Sequence, residues 1–426
     1  MTGYEVAHAA VCSPASDVFD FSQLKLLDRR VWILAWSRLV ATLGFSMVLP
    51  FMIVYLTRDR QMPVWAATLV MSVSGACGAL AQGIAGAICD RIGRMPLIVA
   101  ANIIRTLNLG ALGFCVSQRA PVWLLAILFV NNSLARAFIE PPSQALVADL
   151  TTVEQRVSAF SLQRMFINIG FAGGPALAAL ATGRLEYHQF FYLSVPVSLV
   201  GFLIILPLRG AIEHSPRGES KCKTEKKTSW LGELIAHRHD TGFMWYAAST
   251  FLFFLLQIQL FVTLPVFAAR ELGLDNADVS RIFTVNGLIV VALQLPAAGL
   301  INRIGRMRAL FIGCIGYALS YSAFGLVGNL SLLLLGVAAI TVSEVILAPS
   351  QHSLVTTLAP AGSIGAYSGI FGLAQVAGQS VGPLLGGVAM EFLTGMGLWA
   401  TLGSFGFMAA LGYSHSHRLS KHRTST

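Results

Sequence analysis

The sequence predicts an all-α integral membrane protein with twelve transmembrane helices in two pseudo-symmetric six-helix halves. Three observations lead to this prediction: an apolar composition, a series of long apolar runs, and a short basic turn that occurs twice. Of the 426 residues, 55% are hydrophobic and 12% are charged, and the mean hydropathy is +0.69. A water-soluble domain of this size could not cover so apolar a chain with polar surface, so a bilayer is the solvent that fits.

Apolar runs of about the length of a membrane span follow one another along the chain. A helix needs ~20 residues to cross ~30 Å of hydrocarbon, and longer runs can tilt. Twelve runs meet this requirement: 31–57, 63–89, 96–117, 122–148, 157–182, 189–208, 242–268, 281–300, 308–328, 331–357, 365–390 and 396–413. They divide the chain into an N-terminal tail (1–30), a first half (31–208), a linker (209–241), a second half (242–413) and a basic C-terminal tail (414–426).

Lysine and arginine residues concentrate in one set of the connections between these runs. That set holds Arg91, Arg94, Arg303 and Arg306, together with the lysine-rich segment 209–241, and both tails lie on the same side. Because cytoplasmic loops carry the excess of Lys and Arg, we expect both termini in the cytoplasm and the protein in a bacterial inner membrane. Topology thus explains the net charge of +9 better than a nucleic-acid partner does.

The basic turn between spans two and three recurs between spans eight and nine. Its first copy is Asp90-Arg91-Ile92-Gly93-Arg94-Met95 and its second is Asn302-Arg303-Ile304-Gly305-Arg306-Met307. Three further matches keep the same order: Gly44–Pro50 with Gln257–Pro265, Pro142-Ser143-Gln144 with Pro349-Ser350-Gln351, and Gly170-x-x-x-Gly174-Pro175 with Gly378-x-x-x-Gly382-Pro383. Four matches in one order indicate an internal duplication.

The stretch from Gly86 to Ile98 resembles the signature G-x-L-a-D-R-x-G-R-[KR]-x-x-L of the major facilitator superfamily, with Ile88 and Met95 as departures. The Gly-Pro runs resemble the antiporter signature g-x-x-x-G-P-x-x-G-G of that superfamily. It is complete in span eleven, whereas alanines replace the last two glycines in span five. The combination is typical of proton-coupled drug exporters. The Pro-Pro-Ser-Gln-Ala-Leu-Val run of span four and the Gln257–Pro265 stretch are similar to the MdtH type of bacterial multidrug-resistance proteins.

The residues of the first basic turn can be interpreted in two ways. Gly86 and Gly93 let backbones approach closely and bend sharply, while Arg91 and Arg94 anchor the turn at the membrane surface. Asp90 can cap a helix or pair with an arginine, which would make the turn a latch for one conformation. The alternative is a plain topological anchor. In the second copy Asn302 replaces the aspartate, so a second latch would be weaker.

The Gly-Pro runs also have two explanations. Small residues at this spacing allow close helix packing, which is a structural role. The resemblance implies in addition a kinked, sealed helix interface that prevents leak. The residues concerned are Gly170, Gly174, Pro175, Gly378, Gly382, Pro383 and Gly386.

Ionisable residues inside the spans mark the candidate site, because each costs ~3 kcal/mol or more in lipid and usually faces a cavity. In the first half four such residues are expected at similar depth, and a fifth, Arg136, one turn deeper on the helix of Glu140. The four are Arg38, Arg105, Glu140 and Arg164. We predict one cluster of net charge +3, which either attracts substrate or forms a structural ion-pair network.

Glu344 and Glu140 are the two candidates for proton coupling. Glu344 lies near the middle of span ten, where its half offers no other charge at that depth. Apolar surroundings favour a protonated carboxyl, whereas arginine neighbours favour a charged one, so Glu344 is the better proton carrier and Glu140 the fixed counter-charge. A buried glutamate with no transport role is the alternative. Gln257 and Gln259 would add polar groups to an aromatic wall suited to an amphipathic molecule.

These features predict a transporter and not an enzyme, since no nucleophile–base pair, metal-ligand spacing or phosphate loop is found in the sequence. We expect proton-coupled export of a small amphipathic compound by alternating access. Two alternatives stay open: a uniporter or importer of an anionic metabolite, and a membrane receptor with the same fold. The expected partners are the substrate, protons and the lipid bilayer. No cofactor, metal or nucleic acid is expected, and the chain should act as a monomer.

Overall fold

The structure, a computed structural model, describes residues 26–152, 155–181, 187–208, 240–360 and 364–424. Within these ranges helices form twelve spans, numbered here in chain order. They are span 1 (Arg29–Ser46, Leu49–Val54 and a π-helical turn Tyr55–Asp59), span 2 (Val64–Ile92), span 3 (Arg94–Ser117), span 4 (Val122–Asp149), span 5 (Arg156–Ala181), span 6 (Tyr187–Ile205), span 7 (Thr241–Gln257, a 3-10 turn Ile258–Leu260 and Thr263–Arg270), span 8 (Asn276–Ile304), span 9 (Arg306–Ala323), span 10 (Leu330–Leu358), span 11 (Ile364–Phe392) and span 12 (Gly395–Thr424).

Nine helical segments in the described part of the chain are long and apolar enough to cross a membrane. Spans 1, 5 and 11 are not among them, but they pack against spans that are. Span 1 packs on spans 5 and 6, span 5 on span 8, and span 11 on spans 2 and 7. The all-helical, twelve-span prediction is therefore confirmed, and the three remaining spans are held by protein neighbours.

The two basic turns have the same backbone geometry. Span 2 ends at Gly93, with φ +88° and ψ 164°, and span 8 ends at Gly305, with φ +88° and ψ 140°. In each case the next helix begins at the following arginine. Because a side chain disfavours positive φ, glycine is the residue that allows so short a reversal. The duplication found in the sequence is thus present in the backbone.

Spans 1 and 7 are each interrupted near a proline, although the sequence predicts continuous spans over 31–57 and 242–268. Span 1 breaks at residues 47–48, just before Pro50, and span 7 breaks at residues 258–262, just before Pro265. Proline lacks an N–H and clashes with the carbonyl four residues earlier, which ends the first helix. The second pieces, Leu49–Val54 and Thr263–Arg270, pack against each other.

The two halves are sealed at one end of the bundle. We call the end that holds Gly93 and Gly305 the basic end and the opposite end the far end. Near the far end the backbone N–H of Leu384 in span 11 donates to Ser72 Oγ in span 2 at 3.0 Å. The second pieces of spans 1 and 7 extend this contact through an apolar cluster that includes Met52, Ile53, Val262 and Val266.

Two predicted boundaries need comment. The sequence predicts that span 12 ends at residue 413, but the helix continues to Thr424, so most of the predicted C-terminal tail extends the helix. The predicted linker 209–241 lies outside the described residues except for Asp240 and Thr241. Asp240 accepts a hydrogen bond from the N–H of Phe243 at 3.1 Å and so caps the start of span 7.

Candidate functional site

A cavity of about 480 Å³ lies between the two halves. This volume is within the range of pockets for drug-sized ligands. Spans 1, 2, 4 and 5 of the first half and spans 7, 8, 10 and 11 of the second half line it. Its described lining includes four phenylalanines and seven side-chain amides: Phe45, Phe129, Phe171, Phe261, Gln82, Asn168, Gln257, Asn286, Gln294, Gln375 and Gln379. The wall is therefore polar and aromatic, as the sequence predicts.

The cavity is centred on the middle of the bundle and reaches into the basic-end halves of several spans. Gln82 and Gln294 line it from the basic-end halves of spans 2 and 8, and Gln375 does so from span 11. On the other side the lining joins the apolar cluster of the far end, to which Phe129 and Val262 also belong. Among the described residues, the contacts between the halves include those near the far end.

Glu344 is the only carboxylate among the described residues that line this cavity. It occupies the midpoint of span 10, and Gln257 Nε2 of span 7 donates a hydrogen bond to its Oε1 at 2.7 Å. Arg164 of span 5 lines the same cavity from the other half. The expectation that Glu344 lacks charged neighbours holds only within its own half, because the opposite half supplies one.

Of the five ionisable residues that the sequence predicts to cluster in the first half, four lie together. Arg38 Nη2 and Glu140 Oε1 form an ion pair at 2.5 Å, and Arg105 and Arg136 lie within electrostatic range of both. Arg164 does not join this cluster: it lines the central cavity together with Glu344 of the other half. Glu140 is thus paired with Arg38 and not with Arg136, four residues earlier on its own helix.

Gln259 does not line the cavity, which corrects the sequence expectation. Only 1% of its surface is exposed. Its Nε2 donates to the carbonyls of Leu255 at 2.6 Å and Gly382 at 2.9 Å, and its Oε1 accepts from the Thr263 hydroxyl at 2.5 Å. Gln259 therefore joins the broken part of span 7 to span 11.

Comparison with known proteins identifies the family. The sequence model of the Major Facilitator Superfamily matches residues 34–383. The chain belongs to this superfamily. Multidrug resistance protein MdtH of Citrobacter koseri is 27% identical over 399 residues, which is 91% of this chain and 94% of that protein. The uncharacterised MFS-type transporter YqjV of Bacillus subtilis strain 168 is 25% identical over 364 residues, with 84% and 86% covered.

Solved structures of the superfamily share the fold. A crystal structure of a POT family transporter in complex with a thioalcohol-conjugated peptide superimposes with a TM-score of 0.74 at 15% sequence identity. The match covers 89% of this chain and 94% of that one. This chain is therefore a multi-pass membrane transporter and not an enzyme, and the resemblance found in its motifs is confirmed.

The glycines of the superfamily's antiporter signature lie where two helices touch. A Cβ atom on Gly170 would be 2.6 Å from the carbonyl oxygen of Leu39 in span 1. A Cβ atom on Gly378 would be 2.6 Å from that of Phe251 in span 7. Gly174, Gly382 and Gly386 continue the same two contacts, Pro383 lines the cavity, and the Pro175 side chain lies outside the described part. Close packing of span 5 on span 1 and of span 11 on span 7 requires these glycines.

The basic turn of the superfamily is tied to the end of span 4. Arg94 forms an ion pair with Asp149, and its Nη1 donates to the carbonyl of Ala145 at 2.9 Å. In the second copy Arg306 Nη1 donates to the hydroxyl of Thr357 at 3.4 Å. Gly86, Asp90 and Arg91 belong to the last turns of span 2, and nothing is described of their side chains. The sequence analysis does not predict a role for Asp149. Its position at the end of span 4, on the same side as the basic turn, could have indicated a pairing with an arginine of that turn.

His352 is a second residue that the sequence analysis missed. It lies eight residues after Glu344, which places both on one face of span 10 with Ala348 between them. Its ring is 5.0 Å from that of Phe371 in span 11 at 72°, an edge-to-face contact. The spacing 344, 348, 352 could have revealed it, because it repeats with the helical period.

Proposed function

We propose that this transporter exports a small amphipathic organic compound in exchange for protons, by alternating access. The observation that carries the proposal is the position of Glu344. It lies in the cavity between the halves, accepts a hydrogen bond from Gln257 and shares the cavity lining with Arg164 of the opposite half. A proton bound or released there changes the charge between the halves by one unit.

That change can bias the orientation of the cavity. When Glu344 is charged, its attraction to Arg164 favours arrangements that hold spans 5 and 10 close. Protonation removes the attraction, so the two protonation states favour different conformations. Glu140 is less suited to this role because Arg38 of its own half neutralises it at 2.5 Å.

The cavity walls support an amphipathic substrate. Aromatic rings offer apolar surface, while amides such as Asn286 and Gln375 offer donors and acceptors. Relatives named multidrug resistance protein match over most of this chain, which agrees with a drug-like substrate.

The basic end supports an orientation of the protein in the membrane. Lysine and arginine mark the cytoplasmic side, so we place the basic end and both termini in the cytoplasm of a bacterial inner membrane. In this conformation the cavity would then collect its substrate from the cytoplasm. Asp90, Arg91 and Arg94 would act as the latch that holds the basic end closed in the opposite conformation.

A second candidate is uniport or import of an anionic metabolite. Arg136 and Arg164 both line the cavity, against the single carboxylate of Glu344. This excess of positive charge favours anions, and only transport data separate the two functions.

The test is transport by purified protein in vesicles of bacterial lipid, with a panel of cationic, zwitterionic and anionic compounds and with or without a pH gradient. Export predicts that a proton gradient drives uptake of a cationic or zwitterionic amphipathic compound, while protein-free vesicles show none. Movement of anions that ignores the pH gradient would favour the second candidate. Binding without transport of any compound would contradict both.

A further inference from the structure

A second, smaller pocket lies inside the first half, next to the central cavity. Its volume is about 70 Å³, and it lies among spans 1, 3, 4, 5 and 6. Four charged residues line it: Arg38, Arg105, Arg136 and Glu140. So small a volume suits an inorganic ion with water better than an amphipathic organic compound.

The charges of this pocket do not balance. Glu140 is paired with Arg38 at 2.5 Å, which leaves Arg105 and Arg136 as uncompensated cations among the described lining residues. Arg136 is exposed to the central cavity, but Arg105 is only 8% exposed. Burying a cation without a counter-charge is costly, so the pocket favours an anion.

Arg105 also has unused hydrogen-bonding capacity. Its Nε is buried and has no hydrogen-bond partner among the residues that the structure describes. Its Nη2 reaches the carbonyl of Ala41 only at 3.5 Å, and its guanidinium carbon lies 5.2 Å from the centre of the Phe45 ring. Buried donors in proteins are nearly always satisfied, and a charged donor most strongly favours a charged acceptor.

We propose that this pocket binds a small monovalent inorganic anion of the size of chloride, between Arg105 and Arg136. The anion accepts hydrogen bonds from Arg105 and removes one of the two uncompensated charges. Because Arg136 lines both the pocket and the central cavity, the anion also lowers the positive potential of the cavity wall. The site does not depend on the direction of transport or on proton coupling.

The first test measures the melting temperature of purified protein as chloride or bromide replaces gluconate at constant ionic strength. Wild type should show a saturable rise, because a ligand that binds only the folded state stabilises it. Arg105→Gln should weaken the apparent affinity by at least about tenfold, because it removes a charged donor. Glu140→Gln should strengthen it, because it removes the competing negative charge and frees Arg38.

The matched control is Arg281→Gln, at an exposed arginine that pairs with Asp278 near the far end. It should respond to chloride as wild type does. Equal responses in wild type, Arg105→Gln and Glu140→Gln would show a general salt effect and overturn the proposal.

Should Arg105→Gln fail to fold, crystals of the wild-type protein grown in bromide decide the question. An anomalous bromide peak between Arg105 and Arg136 would support the site. A bromide-containing structure of the same conformation with no peak in this pocket would overturn it.

Discussion

At the scale of single residues, the two half-buried glutamates, Glu140 and Glu344, differ in where their neighbours lie. Glu140 pairs with Arg38 of the same half, so the pair moves as one body with that half. Glu344 takes its hydrogen bond from Gln257 of its own half and its charged neighbour, Arg164, from the other half. A charge pair within a half contributes to folding, whereas a charge pair between halves is sensitive to conformation.

The Arg38–Glu140 pair should therefore affect stability. We expect Arg38→Ala to destabilise the protein by about 1–3 kcal/mol, because it leaves a partly buried carboxylate without its counter-charge. The double variant Arg38→Leu with Glu140→Leu should lose less stability than the sum of the losses in Arg38→Leu and Glu140→Leu alone. Melting temperatures in detergent measure both effects, with Arg281→Gln as the surface control. Additive losses in the double variant would show that the two side chains do not interact.

Arg136 should affect selectivity more than folding. Its helix neighbour Glu140 is paired with Arg38, and the Arg136 side chain is exposed to the cavity. Arg136→Ala should thus weaken binding of anionic and zwitterionic compounds by about tenfold, which is the loss of one charge-assisted hydrogen bond, and leave cationic compounds unchanged. Binding assays with one compound of each charge measure this. A fall in folded yield with unchanged selectivity would assign Arg136 a structural role.

At the scale of helices, glycine and proline determine how spans of the same half meet. The glycine runs bring span 5 onto span 1 and span 11 onto span 7, and the prolines break spans 1 and 7 near the far end. The same glycine runs and helix-breaking prolines occur in both halves because the sequence is duplicated. Each half is thus a compact unit that can move against the other.

Two glycines of span 11 offer a matched comparison. A Cβ atom on Gly378 would lie 2.6 Å from the Phe251 carbonyl oxygen, whereas one on Gly372 would have no atom within 4 Å. Gly378→Ala should destabilise the protein by about 1–3 kcal/mol through overpacking, and Gly372→Ala should be neutral or slightly stabilising. Melting temperature and transport rate of both variants check this. Equal effects of the two substitutions would contradict the packing role of Gly378.

The sequence predicts these helix-level features well because they depend on local patterns. Hydropathy locates the spans, and repeated Gly and Pro positions locate the turns and close contacts. The direction in which a side chain points is harder to predict from sequence, because adjacent positions differ by about 100° around the helix. Gln257 and Gln259 are two residues apart and so face nearly opposite directions, one into the cavity and one toward span 11.

Contacts between distant spans were beyond the sequence analysis for a related reason. The sequence predicts Arg164 near Glu140 because both lie at similar depth. Depth alone does not determine how span 5 is rotated about its axis. The interaction of Arg164 with Glu344 depends on the packing of span 5 on span 8 and on the meeting of the halves. Such information comes from the tertiary arrangement and not from a single segment.

At the scale of the whole molecule, described residues of the two halves pack together near the far end, and the cavity lies between the halves at the middle of the bundle. A transporter of this fold must also adopt a conformation that is closed at the basic end. Glu344 and Arg164 line the cavity between the halves. In the proposed function, a proton on Glu344 shifts the balance between the two conformations. Proton coupling through Glu344 is thus the property on which the proposed function depends.

Substrate-induced proton movement in vesicles tests this most directly. Wild type, Glu344→Gln and the control Glu391→Gln, which alters an exposed glutamate at the far end of span 11, are reconstituted with a pH-sensitive dye inside. Glu344→Gln keeps the size of the side chain but cannot release a proton. Addition of a transported compound should move protons in wild type and Glu391→Gln. In Glu344→Gln the flux should fall to the level of protein-free vesicles while the compound still binds. Proton flux of wild-type size in Glu344→Gln would contradict the proposed role of Glu344.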